Sequence, residues 1–304
     1  MVGMGKAGSL HAEIFRSEIQ EATLRCVIDE REELAKELGR KLQVDSAIDY
    51  EEALDRRDVQ AVVVSVPTNL HSVVALSSLN AGKNVLVEKP LARSLEEAKG
   101  IVRKTEESGL IAQVGYMRRF DEYYLEAKKR IQQAYLGKAI LYRAIAHDPS
   151  PPQGWAADPS LSGGIFYDML SHDFDMARNM LDSEVTSAYA RGSSLLSTEI
   201  GEKGDYDVAS VLLTFDSAAH GYVEGIRKSN YGYDLRTEIV GSDATIQVGD
   251  MSDTMLTFAD QEGIRHGGRQ WFMRRFRNAF VEEDRSFIRS ILNRSQPLVS
   301  VLDG

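Results

Sequence analysis

Apolar and polar positions divide the chain into two regimes. Up to residue 115, short β-branched and aliphatic runs recur at 24–28, 61–66, 85–87 and 111–114. Between them, at 9–19, 31–42, 71–81 and 94–108, lie helical patterns with polar and charged faces. The first pattern predicts strands and the second predicts helices. Their regular alternation predicts βαβ units and a parallel sheet. The strand-like runs are almost wholly apolar, as expected when helices cover both faces of a sheet.

The pattern changes between Tyr116 and Asp121. A helical segment at 122–136 is followed by the loop Asp148-Pro149-Ser150-Pro151-Pro152 and a second helix at 164–181. Strand-like runs then follow at 184–191, 208–215, 218–227, 235–241 and 245–248, separated by short turns. Such a succession predicts an open antiparallel sheet. The expected architecture is α/β: a doubly wound parallel-sheet domain over 1–117, then an α+β domain over 118–304. Two domains also suit the length, since 304 residues exceed what one hydrophobic core usually serves.

A net charge of −10 speaks against a nucleic-acid or anionic-membrane partner. A phosphate-bearing ligand is still compatible with it if backbone N–H groups do the binding. Cys26 is the single cysteine, which excludes an intrachain disulfide and a cysteine-type zinc site. It reads as a small strand residue, and no residue set is assigned to a metal. No apolar stretch is long enough to cross a membrane and no signal peptide precedes the first motif, so a cytoplasmic protein is expected.

That first motif is Gly3-Met4-Gly5-Lys6-Ala7-Gly8. In a dinucleotide turn the first glycine allows the tight bend, the second admits the pyrophosphate, and the third lets helix and strand pack closely. Asp29 ends the next strand, about 20 residues on, where a carboxylate accepts ribose hydroxyls. Gly3, Gly5, Lys6, Ala7, Gly8 and Asp29 are therefore the first cofactor candidates. Glu30 would repel a 2′-phosphate, which favours NAD over NADP, although Arg31 could pair with one. The plain alternative is a helix-opening loop that binds nothing.

Two more segments follow strands, where open α/β sheets bind ligands. They are Pro67-Thr68-Asn69-Leu70-His71 and Glu88-Lys89-Pro90. With these the chain resembles the glucose–fructose oxidoreductase, inositol dehydrogenase and rhizopine-catabolism (Gfo/Idh/MocA) oxidoreductases, over essentially its whole length. The resemblance implies a Rossmann domain that binds nicotinamide, with Pro67, Thr68, Asn69, His71, Glu88 and Lys89 on the cofactor side. Read physically, a lysine fixed by a proline after an apolar strand can lower the pKa of a substrate hydroxyl. An ordinary surface lysine is the alternative.

Asp168 and His172 stand four residues apart, so one helix would place them on one face. Histidine is the usual proton acceptor near neutral pH. The resemblance implies that Asp168 binds a substrate hydroxyl and that His172 takes its proton, beside Lys89 as the third catalytic residue. A structural contact between Asp168 and His172 is the alternative. Asp173 and Asp175 read as solvated or structural, and His11, His147, His220 and His266 are left unassigned.

Residues 113–121, 148–152 and 231–236 resemble the inositol 2-dehydrogenase branch. They imply Arg119, Asp148 and Tyr233 as substrate contacts, with Tyr233 a hydroxyl donor or else a sheet-edge aromatic. Leu235 and His147 depart from that branch's usual glutamine and arginine, which bears on the polyol recognised.

The expected reaction moves hydride between a secondary alcohol of a cyclic polyol or sugar and NAD. A homo-oligomer, dimer or tetramer, is expected to cover the open sheet face. The alternative function is a nucleotide-binding homologue serving as sensor or docking protein. Relatives carry a full strand before the glycine turn and continue past Gly304. Only Met1 and Val2 precede the turn here, so the central strand position is expected to be incomplete.

Overall fold

The computed structural model describes residues 1–250, 257–261, 263–266 and 271–304. It divides into two compact units, one of Met1–Phe120 with Phe276–Gly304 and one of Asp121–Arg275. The last segment therefore goes with the first unit, unlike the 118–304 expectation. Its helix Arg277–Asn293 buries Phe280, Phe287 and Ile288 and packs against the helix Lys6–Ser17 and the turn Met117–Phe120. Burial of those aromatic and aliphatic side chains is what holds the returning segment there.

The first unit carries parallel strands β1 (Cys26–Ile28), β2 (Asp45–Ala47), β3 (Ala61–Val64), β4 (Asn84–Glu88) and β5 (Ala112–Gly115). Val2 pairs in parallel with Ile28 and with Val64, so it joins β1 and β3 into one sheet. Four backbone hydrogen bonds make the seam. Val2 N donates to Val63 O at 2.9 Å, Ser65 N to Val2 O at 2.8 Å, Gly3 N to Ile28 O at 2.8 Å and Ile28 N to Met1 O at 2.9 Å. Residues 1–3 thus occupy the place between β1 and β3, with Val2 as an isolated bridge rather than a full strand. Ser300 extends the other edge by an antiparallel bridge to Gln113.

The sheet's inner strands are apolar and buried, with Val62, Val63, Val64, Val85, Leu86 and Val87 in the core. Strand β2 was not expected, since Asp45-Ser46-Ala47 is polar and partly exposed at an edge. The helix Leu95–Ser108 shows how local sequence sets its ends. Ser94 accepts the Glu97 N–H at its start, and Gly109 takes a left-handed φ of 64° at its stop.

The second unit is built on β6 (Ala139–His147), β7 (Val185–Ser193), β8 (Val208–Phe215), β9 (His220–Ile226), β10 (Asp234–Gly241) and β11 (Thr245–Val248). They form one sheet in the order β11-β10-β6-β9-β8-β7. The pair β6–β9 is parallel and the others are antiparallel, so the expected antiparallel sheet is mixed. Two short strands, β12 (Thr257–Asp260) and β13 (Gly263–His266), pair separately.

Central β6 was not expected either. Its buried residues are Tyr142, Ala144, Ala146 and His147, and alanine gives little strand signal. The helix Ser171–Leu181 covers the inner face at β6 and β9. On the outer face Tyr189 and Leu212 stand opposite each other and exposed.

Candidate active site

In the first unit the glycine turn has the geometry its spacing implies. Gly3 has a φ of +86°, and a Cβ there would overlap the carbonyl of Ser65. A Cβ on Gly8 would overlap the Gly3 carbonyl oxygen. At Gly5, by contrast, an added Cβ meets no atom within 4 Å. Two glycines are thus required by packing, while the third leaves open space at the start of the helix Lys6–Ser17. No side chain caps that helix. Its first N–H groups suit an anionic group, and the turn fits a dinucleotide.

Asp29 follows β1 and is buried. Its carboxylate accepts from Met4 N at 2.8 Å, Arg31 N at 3.0 Å, Arg31 Nε at 2.8 Å and Arg31 Nη2 at 2.9 Å. Burial alone would raise its pKa, but the bonds from Arg31 and Met4 outweigh it and hold the group below its ordinary value. Four donors occupy the lone-pair sites of one carboxylate, so a further donor reaches it only by displacing the exposed Arg31 guanidinium.

The loops after β3 and β4 are tied together by His71. The ring is buried, with Nδ1 2.7 Å from Pro90 O and Nε2 2.9 Å from Val66 O. Burial lowers its pKa, so the ring is held neutral and donates to one carbonyl at a time. His71 therefore supports the loops, and Thr68 beside it is also buried. Pro67 and Asn69 are partly exposed.

Glu88 ends β4 and points inward, accepting from Lys89 N at 3.1 Å and lying 3.0 Å from His11 Nε2. Lys89 is partly exposed and precedes a cis-proline. Arg119 pairs with Asp303 at 3.0 Å within this same unit.

In the second unit the expected helix over 164–181 is broken. Residues Ile165–Met169 form a π-helical turn, and the α-helix begins at Ser171. Leu170 N donates to Ile165 O at 3.0 Å, the longer hydrogen-bonded ring of a π turn. Gly163 and Gly164 precede it at positive φ, and a Cβ on Gly164 would press on the Asp205 carboxylate. Asp168 thus sits in the wide turn and His172 in the first turn of the helix. The expectation that one regular helix face carries both is corrected.

Asp168 has a partner the sequence did not suggest. Arg227 Nη2 lies 3.4 Å from Asp168 Oδ2, and Arg227 Nη1 is bonded to Asp205. The Arg227 side chain is 2% exposed and that of Asp205 5%, whereas Asp168 keeps 24%. A buried ion pair therefore aims a cation at the carboxylate that stays accessible. His172 is buried at 8% exposure, and Asp173 and Asp175 are buried too, which removes the solvated reading of that pair.

A second polar chain crosses β9, β6 and β10. Glu224 Oε1 lies 2.7 Å from His147 Nε2, and His147 Nδ1 lies 2.8 Å from the Tyr231 hydroxyl. Tyr231 donates to Asp234 at 2.8 Å, and Arg236 grips the same carboxylate at 3.1 and 3.0 Å. The His147 hydrogen bond holds Glu224 below the usual carboxylate range against its burial. Burial, then the Asp234 hydrogen bond, pushes the Tyr231 phenol up.

Tyr233 is 7% exposed while Tyr231 is 49% exposed, so the accessible tyrosine is the one not singled out from the sequence. Asp148 lies at the end of β6, partly exposed, with its backbone paired to Ile226 and Ser229. No sequence motif marks Arg227 or Asp205. The His147 departure was the one visible hint of this chain.

Comparison with known proteins agrees with this chemistry. Residues 1–116 match the family model described as an oxidoreductase family with an NAD-binding Rossmann fold. Residues 124–247 match the GFO/IDH/MocA C-terminal domain. The myo-inositol 2-dehydrogenase of Thermotoga maritima is 36% identical over 100% of this chain and 91% of its own. The NAD-dependent scyllo-inositol 2-dehydrogenase of Bacillus subtilis is 35% identical over 100% of this chain and 89% of its own.

Among solved structures, scyllo-inositol dehydrogenase from Lactobacillus casei, with bound NAD(H) and scyllo-inositol, superposes at a TM-score of 0.92. It is 28% identical, and the match covers 99% of this chain and 90% of that one. With both its domains matched and whole-length relatives above 30% identity, the chain belongs to the Gfo/Idh/MocA oxidoreductase family.

Proposed function

We propose that this protein is an NAD-dependent dehydrogenase that oxidises a secondary alcohol of an inositol-like cyclic polyol. The observation that carries the nicotinamide half is the glycine turn, packed tight at Gly3 and Gly8 and open at Gly5. Whole-length similarity to inositol 2-dehydrogenases supports the polyol and favours turnover over a sensor role.

Gly3, Gly5, Lys6, Ala7, Gly8, Asp29, Pro67, Thr68 and Asn69 hold the dinucleotide, and His71 and Glu88 fix the loops that carry them. A nicotinamide bound there would supply the hydride acceptor for the carbinol carbon. The chain's own residues handle the proton. Lys89 polarises the hydroxyl, and His172 accepts its proton as the carbonyl forms. Asp168, aimed by Arg227, accepts a hydrogen bond from a neighbouring hydroxyl and orients the ring. Arg119, Asp148 and Tyr233 are assigned to the polyol, and Tyr231 joins them because it is the exposed residue that links His147 to Asp234.

The test is NAD reduction with a panel of myo-inositol, scyllo-inositol and glucose, for wild type, Lys89→Ala and His172→Ala. Inositol-dependent turnover that collapses in both variants is expected. Equal turnover in all three proteins sinks the assignment.

Two further assignments belong to this reading. The buried thiol of Cys26, and the lack of any membrane-length apolar helix among the described residues, suit the cytoplasm. The exposed Tyr189–Leu212 pair suits a homo-oligomer formed on the outer sheet face. Light scattering that returns a monomer removes the second.

A further inference from the structure

The first unit holds a cluster of which the proposed reaction uses only Glu88, as a support of its loop. His11, Glu88, Glu283 and Asp284 are gathered from the first helix, the end of β4 and the last helix. His11, Glu283 and Asp284 are each 0% exposed. His11 Nδ1 lies 2.7 Å from Asp284 Oδ1 and His11 Nε2 lies 3.0 Å from Glu88 Oε1. Three carboxylates thus face one imidazole. Burying that much negative charge is costly unless something cancels it.

Glu283 shows the shortfall most sharply. Neither of its carboxylate oxygens has a hydrogen-bond partner, although both are buried. One ligand atom from each of His11, Glu88 and Glu283 lies within 4.8 Å of the other two. We propose that His11, Glu88 and Glu283 form a buried binding site for a first-row divalent transition metal.

The arrangement around these residues is that of a metal centre. Asp284 accepts from the second ring nitrogen of His11, which fixes the tautomer that leaves Nε2 to ligate. The 3.0 Å between Nε2 and the Glu88 oxygen is the separation of two adjacent ligands on one metal at about 2.1 Å each. The other Glu88 oxygen accepts from Lys89 N, so that carboxylate ligand is held from behind, and Gln113 Nε2 fixes the backbone of Glu283 by donating to its main-chain carbonyl at 3.1 Å. One imidazole with two carboxylates suits zinc or manganese, whereas magnesium and calcium take all-oxygen sets. The Glu88 side chain keeps 11% exposure, which puts the way in at the Glu-Lys-Pro loop.

The test uses the full chain, stripped with chelator and then offered Zn²⁺, Mn²⁺ or Mg²⁺ alone. Metal retained after desalting is counted by plasma emission, and thermal unfolding is followed in parallel. About one zinc or manganese per chain and a raised Tm are expected, with magnesium inert. Glu283→Gln should weaken zinc by at least about tenfold, while the exposed neighbour Glu282→Gln should not.

Cobalt substitution of the wild type gives a second reading, because imidazole coordination produces visible d–d bands. It decides the matter even where Glu283→Gln fails to fold. No retained metal together with a Tm indifferent to zinc overturns the proposal and leaves protons to balance the cluster. Equal retention by Glu283→Gln overturns it as well, since the metal then sits elsewhere. No readout uses turnover, so the dehydrogenase assignment stands or falls separately.

Discussion

The two units place their chemistry by opposite means. The first works with backbone: glycines that tolerate no Cβ, an uncapped helix start, and loops strapped through carbonyls by His71. The second works with buried charge, where Arg227 between Asp205 and Asp168, and the Glu224–His147–Tyr231–Asp234 chain, orient what stays accessible. Backbone devices demand particular residues at fixed spacing. Charge networks demand only that partners meet after folding. The first kind is therefore written as a motif and the second is not.

The largest effect tests whether both units serve one reaction. Lys89→Ala in the first unit and His172→Ala in the second should each lower kcat by roughly 10²–10⁴, the range of a lost proton-transfer group. Steady-state NAD reduction measures it. A loss confined to one variant would break the pairing.

Next come the supports. Arg227→Ala leaves two carboxylates without their cation and should cost about 3–5 kcal/mol in denaturant unfolding. Among the described residues its ion-pair partners, Asp168 and Asp205, lie in the second unit, so NAD affinity of the protein that remains folded should be unchanged. Gly8→Ala, pressed on the Gly3 carbonyl, should do the reverse and remove NAD binding. Loss of NAD binding in Arg227→Ala would erase the contrast between the units.

Gly5→Ala sharpens the backbone side. Its Cβ meets nothing in the protein, so Tm should stay put while NAD affinity falls about tenfold, near 1.4 kcal/mol by titration. A matching fall in Tm would mean that Gly5 serves packing after all.

The smallest effect concerns Asp29. Its pKa is lower in the folded chain, so its contribution to stability is present above the ordinary carboxylate value and lost as pH falls through the folded one. Asp29→Asn should therefore be less stable than wild type at neutral pH, and the difference should close below about pH 4. A difference independent of pH would show that the Arg31 pair contributes nothing. The same variant should narrow the preference for NAD over NADP.

The sequence made the first unit readable because its inner strands are apolar on both faces and its glycines are indispensable. It hid β2, whose edge position lets it be polar, and β6, whose inner face is largely alanine. It also hid the break at Leu170, because an apolar period over 164–181 looks alike whether the first turn is α or π. Lys89, Asp168 and His172 stood out from their motifs. Arg227, Asp205 and Tyr231 did not, since their meaning lies in contacts across 22 to 84 residues of chain.

The return of Phe276–Gly304 to the first unit also sets an order of events during synthesis. The bond from His11 to Asp284 spans 273 residues, and the Ser300 edge pairs with Gln113 across 187. A ribosome therefore releases the whole second unit before the first can close. The nucleotide-binding half, although it starts the chain, is the last part to mature.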